Sequence, residues 1–94
     1  MVLHNYKLLS RILKALGSES GIKIFTLLDG AKEMCVTDIA KKIHRSLSAT
    51  SHQLKKMEAT GLVESWRDGR TICYHLGKSH LSKDLAHCIR RVKL

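Results

Sequence analysis

The segment Val36 to Met57, VTDIAKKIHRSLSATSHQLKKM, holds the side chains whose types and spacing best suit a defined chemistry. Ser48, Ala49, Ser51, His52, Lys55 and Lys56 are small, polar or basic, and they share one side of a helical pattern. Hydroxyl, imidazole and ammonium groups on such a face can bond to base edges and phosphates in a DNA major groove. Lys41, Lys42 and Arg45 precede them and are placed to hold the phosphate backbone. Arg67 and Arg70 flank Asp68-Gly69 further on, where they could reach a neighbouring minor groove or its phosphates. The plainer alternative for each basic residue is a solvated face, and for Ser48 and Ser51 it is helix capping.

These side chains need two short helices meeting at a tight corner. Ile39, Ala40 and Ile43 on the first helix, and Thr50, Leu54 and Met57 on the second, recur at helical spacing and would lock the pair together. Thr37 suits the N-cap of the first, with Asp38 favourable in its first turn. Ser46 or Ser48 caps the second, and Gly61 ends it. Leu62–Trp66 and Thr71–Leu76 are rich in β-branched and aromatic residues, and the Asp68-Gly69 between them signals a hairpin. Trp66, Cys73 and Tyr74 are expected to pack there.

The flanking segments are helical too. Asn5 caps a helix to about Leu16, with Tyr6, Leu9, Ile12, Leu13 and Leu16 as its buried stripe and Gly17 as its end. Ser18 or Ser20 caps the next, which carries Ile22, Ile24, Phe25, Leu27 and Leu28 and stops at Gly30. Lys78 to Leu94 sets Leu81, Leu85, Cys88, Ile89 and Val92 on one face. The expected architecture is mainly α with a β-hairpin wing: a winged helix-turn-helix of four helices, a hairpin and a fifth helix. Residues 1–94 read as one domain. The terminal helices, about 5–16 and 78–93, are left for pairing with a second copy.

Composition supports this. A chain of 94 residues has a thin core, which a shared dimer core would thicken. Lys and Arg number 17 against 8 Asp and Glu, a net charge of +9 that suits a polyanion such as nucleic acid. No run approaches the ~18 apolar residues of a membrane span. The N-terminal segment is broken by Lys7, Arg11 and Lys14, unlike a signal peptide. The 3 cysteines do not suit a secreted disulfide framework, so the cytoplasm is the expected compartment. A Gly-rich phosphate loop, paired carboxylates and a nucleophile–base spacing are all missing, which argues against an enzyme. The competing classes are an architectural DNA-binding protein of low specificity and a winged-helix protein–protein module.

The chain resembles the ArsR/SmtB family of winged-helix repressors from about Ile12 to Leu76. The matching residues are Leu13-Lys14-Ala15-Leu16-Gly17, Glu33-Met34-Cys35-Val36-Thr37-Asp38-Ile39-Ala40, Ser48-Ala49-Thr50-Ser51-His52-Gln53-Leu54, Gly61-Leu62-Val63, Arg67-Asp68-Gly69-Arg70 and Tyr74. The resemblance implies a homodimer that represses transcription from a palindromic operator and releases it on binding an inducer. Two positions depart from the family. Ser18-Glu19-Ser20-Gly21 replaces a proline-containing helix start, and Leu47 stands where Gln is common.

The resemblance also frames the inducer. Arsenic-type members have Cys-Val-Cys where this chain has Cys35-Val36-Thr37, so a thiolate site there needs ligands from elsewhere, such as His4. Zinc-type members use Asp and His on the last helix. Here His80, Asp84 and His87 share a face, but Arg90, Arg91 and Lys93 follow in place of the family's later pair. Redox-type members pair cysteines of the second and fifth helices. Cys88 fits the latter position, Thr26 occupies the former, and Cys35–Cys88 is the pairing left. The leading expectation is a repressor without a cofactor, with zinc or another transition metal and thiol redox as the alternatives.

Overall fold

The computed structural model describes residues 5–92. Its elements are α1 (Tyr6–Leu16), α2 (Glu19–Ala31), β1 (Glu33–Cys35), α3 (Val36–Ile43), α4 (Leu47–Ala59), β2 (Val63–Asp68), β3 (Thr71–Leu76) and α5 (His80–Arg91). This is the expected five-helix, mainly α arrangement with a hairpin wing. His4 and Lys93 lie outside the described residues.

Short polar side chains set the helix starts. Asn5 Oδ1 accepts from Leu8 N at 3.0 Å, Ser18 Oγ from Gly21 N at 2.9 Å, and Ser46 Oγ from Ala49 N at 3.0 Å. Ser79 Oγ accepts from Ser82 N at 3.2 Å, so α5 begins at His80, not Lys78. Each cap satisfies a backbone N–H that the helix cannot and stabilises it by about 1 kcal/mol. Two other boundaries differ from expectation. α2 passes through Gly30 and ends where Lys32 turns left-handed at φ 71°. α3 is capped by Cys35 and not by Thr37: β1 holds Cys35 extended, so the helix starts at Val36, two residues earlier than expected, without a side-chain cap.

β1 is a strand that the sequence pattern does not announce. The sheet order is β1-β3-β2, all antiparallel, with Cys35 opposite Cys73 and Trp66 opposite Cys73 on the other side. At the wing tip Gly69 takes φ 63°, a conformation that glycine adopts without a Cβ clash. At the wing base Gly77 approaches Gly61 so closely that a Cβ would collide with the Gly61 carbonyl, while Gly77 N donates to Leu62 O at 2.8 Å.

The core joins all these elements. Ile24, Phe25 and Leu28 of α2, Ile39 of α3, Leu54 and Met57 of α4, and Val63 of β2 are essentially inaccessible to water. Burying each large apolar side chain contributes roughly 1.5–3 kcal/mol. Thr50, Leu54 and Met57 are the buried side of α4, as their spacing predicts, and α4 packs against α3. Gln53 Nε2 donates to Ala15 O at 2.7 Å and ties α4 to the end of α1.

The terminal helices differ from expectation. Of the α1 stripe only Ile12 and Leu16, with Ala15, are buried; Tyr6 is 75% exposed and Leu13 50%. On α5 the residues packed inward are Ser82 and Ala86, with Leu85 and Ile89 beside them, whereas Leu81, Cys88 and Val92 face out. A single chain therefore covers only one edge of each amphipathic stripe.

Candidate nucleic-acid interface

α4 presents its polar side because its apolar side is taken. Thr50, Leu54 and Met57 point into the core, which leaves Ser48, His52, Lys55 and Lys56 exposed and Ala49 and Ser51 half-buried. Arg45 comes from the corner before α4, where His44 takes the left-handed conformation (φ 57°, ψ 45°) that turns the chain. Arg45, Ala49, His52 and Lys56 meet around a shallow cavity of about 200 Å³. Leu47 opens α4 with half its surface exposed, so it is not the packing residue its type allows.

The wing places Arg67 near the end of β2 and Arg70 in the turn, both exposed. β2 is held against the end of α4 by a hydrogen bond from Ser65 Oγ to Glu58. Trp66 stacks at a tilt on His75, ring centroids 5.5 Å apart, and His75 lies 3.4 Å from Glu64. Tyr74 is buried, and that burial, with the charge of Glu58, raises its phenol above the ordinary value. Tyr74 thus packs as expected, and Trp66 does so on one side.

Among the described residues, Lys41, Lys42, Arg45, Lys55, Lys56, Arg67 and Arg70 make no ion pair. Uncompensated surface cations project a positive field suited to phosphates. Lys41 and Lys42, however, do not join the α4 cluster. They line a separate cavity at the wing root together with Cys35, Trp66, Asp68 and Cys73.

The inducer candidates fare differently. His80, Asp84 and His87 are all exposed on α5, and within one chain they do not converge at ligand distance. The Cys35–Cys88 pairing is overturned. Cys35 is disulfide-bonded to Cys73, with Cα atoms 3.7 Å apart, and Cys88 is free and exposed. Cys73 is therefore a bonding partner and not just a packing residue. Its neighbour Asp68 brings a carboxylate oxygen within 4.8 Å of both sulfurs. A second missed contact is Arg90. Its Nε and second guanidinium nitrogen donate to Asp29 at 2.6 and 2.8 Å, clamping α5 to α2.

This layout matches known proteins. Residues 10–65, more than half of the chain, match the family described as "Bacterial regulatory protein, arsR family". The chain belongs to the arsR family. It is 37% identical over 67 residues to the cadmium resistance transcriptional regulatory protein CadC of Listeria innocua, covering 71% of this chain and 56% of that protein. It is 39% identical over 77 residues to the transcriptional regulator NmtR of Mycobacterium tuberculosis, covering 82% and 63%. The chain thus spans a little over half the length of the first of these relatives. Among solved structures it is similar to HlyU from Vibrio cholerae, with TM-score 0.84, 25% identity and 97% of each chain covered. It also resembles the homodimeric winged helix-turn-helix domain of Mb0332 from Mycobacterium bovis, with TM-score 0.78, 28% identity, and 92% and 78% covered. Its family is one of regulatory proteins, not enzymes.

Proposed function

We propose that this arsR-family chain is a dimeric, sequence-specific DNA-binding repressor. α4 enters the major groove, and the wing arginines contact the adjacent minor groove or backbone. The observation that carries this is the outward face of α4, polar and cationic, beside a wing whose arginines are unpaired. Ser48, Ala49, Ser51, His52 and Lys55 read base edges. Lys41, Lys42, Arg45, Lys56, Arg67 and Arg70 hold phosphates. The exposed stripes of α1 and α5 support a homodimer, the state named for the Mb0332 domain. No described helix is long and apolar enough to cross a membrane, and a DNA-bound repressor would act in the cytoplasm.

Relatives named for cadmium resistance support a cation as inducer for this chain as well. The exposed His80, Asp84 and His87 could complete such a site only with donors from a second copy.

Selection from a pool of random duplexes tests the reading. A repressor of this type enriches a palindrome whose half-sites lie about one helical turn apart. An unenriched pool, bound with one affinity throughout, would instead make the chain an architectural DNA-binding protein.

A further inference from the structure

We infer that Cys35, Cys73 and Asp68 form, in the reduced chain, a binding site for a soft divalent cation at the root of the wing. The three donor atoms lie within 4.8 Å of one another and come from three strands: Cys35 from β1, Cys73 from β3 and Asp68 from the end of β2. The sheet register makes this convergence, since Cys35 and Cys73 are directly opposed. The second thiolate comes from 38 residues further along the chain than Cys35. The site uses no residue of α5.

The donor chemistry selects the ligand class. Two thiolates favour cadmium, zinc and similar cations over magnesium or calcium, which prefer oxygen. Two thiolates and a carboxylate place three negative charges around a divalent ion. Lys41 and Lys42 line the same cavity, of about 560 Å³, and offset the excess. That cavity is open enough for water to complete the coordination shell.

The bonded and cation-bound states exclude each other. A disulfide holds its sulfurs about 2 Å apart, whereas two thiolates on one tetrahedral cation sit about 3.8 Å apart. A phosphine reductant opens the bond: phosphine, disulfide and water give phosphine oxide and two thiols. The cation then displaces one proton from each thiol. The loop closed between Cys35 and Cys73 contains α3, α4, β2 and every residue proposed to touch DNA. Either state therefore fastens the base of the DNA-reading unit, but with different spacing between β1 and β3.

Cadmium titration of the full chain, reduced with a phosphine, tests the site without DNA, so its outcome is separate from that of the repressor reading. Two signals report on it: the ultraviolet thiolate-to-cadmium band and the fluorescence of Trp66, the chain's sole tryptophan, which lines the cavity. The expected result is saturation at one equivalent per chain, unaffected by excess magnesium. Cys73→Ser and, separately, the less buried Cys35→Ser should abolish the band while circular dichroism stays unchanged. Asp68→Asn should weaken binding by about tenfold to a hundredfold, and Cys88→Ser should leave it unaltered. A folded, reduced wild-type chain without a saturable band would overturn the site. So would a band that survives both Cys35→Ser and Cys73→Ser or is lost with Cys88→Ser.

Discussion

The central unit, α3 through β3, and the flanking helices α1 and α5 solve the same problem differently. In the centre, Ile39, Leu54, Met57 and Val63 are completely covered by the chain itself. Outside it, Lys41, Lys42, Arg45, Lys55, Lys56, Arg67 and Arg70 stay without an ion pair. At the flanks, Leu9, Leu13, Leu81 and Val92 stay exposed, and α5 is fixed to α2 by one ion pair and a narrow seam around Ala86. With α2 and part of α1 over it, the centre has a closed core and unpaired cations outside, whereas the flanks leave apolar surface uncovered. That contrast points to two kinds of partner. Uncompensated cations call for a polyanion, whereas uncovered aliphatic stripes call for another apolar surface.

The core comes first. Leu54→Ala removes a fully buried core side chain of α4 and should cost about 2–5 kcal/mol. Thermal melting reads it; a change within about 0.5 kcal/mol, the size of a surface effect, would mean that Leu54 does not hold the core.

The flanks come next. Leu13→Glu should leave the fold intact by circular dichroism but raise the dimer dissociation constant by at least about tenfold, or about 1.4 kcal/mol. Sedimentation across a concentration series measures this. An unchanged association would remove α1 from the dimer face.

A smaller effect concerns the clamp between the two regions. The hydrogen bond from Arg90 holds the Asp29 carboxyl below the usual carboxylate range; partial burial opposes this, and the guanidinium charge adds to it. Because the folded-state pKa is depressed, the contribution is present above the unfolded value and is lost as pH falls through the folded one. Asp29→Asn should therefore flatten the acid limb of the stability profile and leave it little changed near neutrality in salt, where exposed ion pairs count for little. An identical acid limb in variant and parent would remove the clamp from the account.

The smallest effect sharpens the picture of the centre. Thr50 is buried in α4, and its Oγ1 has no hydrogen-bond partner. Thr50→Val keeps the shape and removes the unsatisfied hydroxyl, so stability should be unchanged or slightly higher. A marked loss would show that the hydroxyl is in use.

Local signals were legible in the sequence and distant pairings were not. Asn5, one of Ser18 or Ser20, and one of Ser46 or Ser48 were legible as caps because a cap acts within three residues, and Asn5, Ser18 and Ser46 fill those places. The Asp68-Gly69 hairpin was equally local. β1 escaped because three residues carry no period, and only pairing with β3 makes them a strand. The same pairing unites Cys35 with Cys73, two cysteines that look unrelated along the chain. Asp29 and Arg90 are 61 residues apart, so nothing local marks their bond. At the DNA-facing site, helical spacing separated the core side of α4 from its polar side. Spacing could not show that Lys41 and Lys42 line the cavity at the wing root.

The proposed complex has α4 reading bases while the wing holds phosphates. It is tested most directly by measuring His52→Ala and Arg70→Ala on a selected palindrome and on random duplex, across a salt series. The account predicts that His52→Ala loses about 1–3 kcal/mol on the palindrome and far less on random DNA. Arg70→Ala should weaken both alike and reduce the salt slope by about one per protomer. Equal losses on both duplexes for both variants would contradict it.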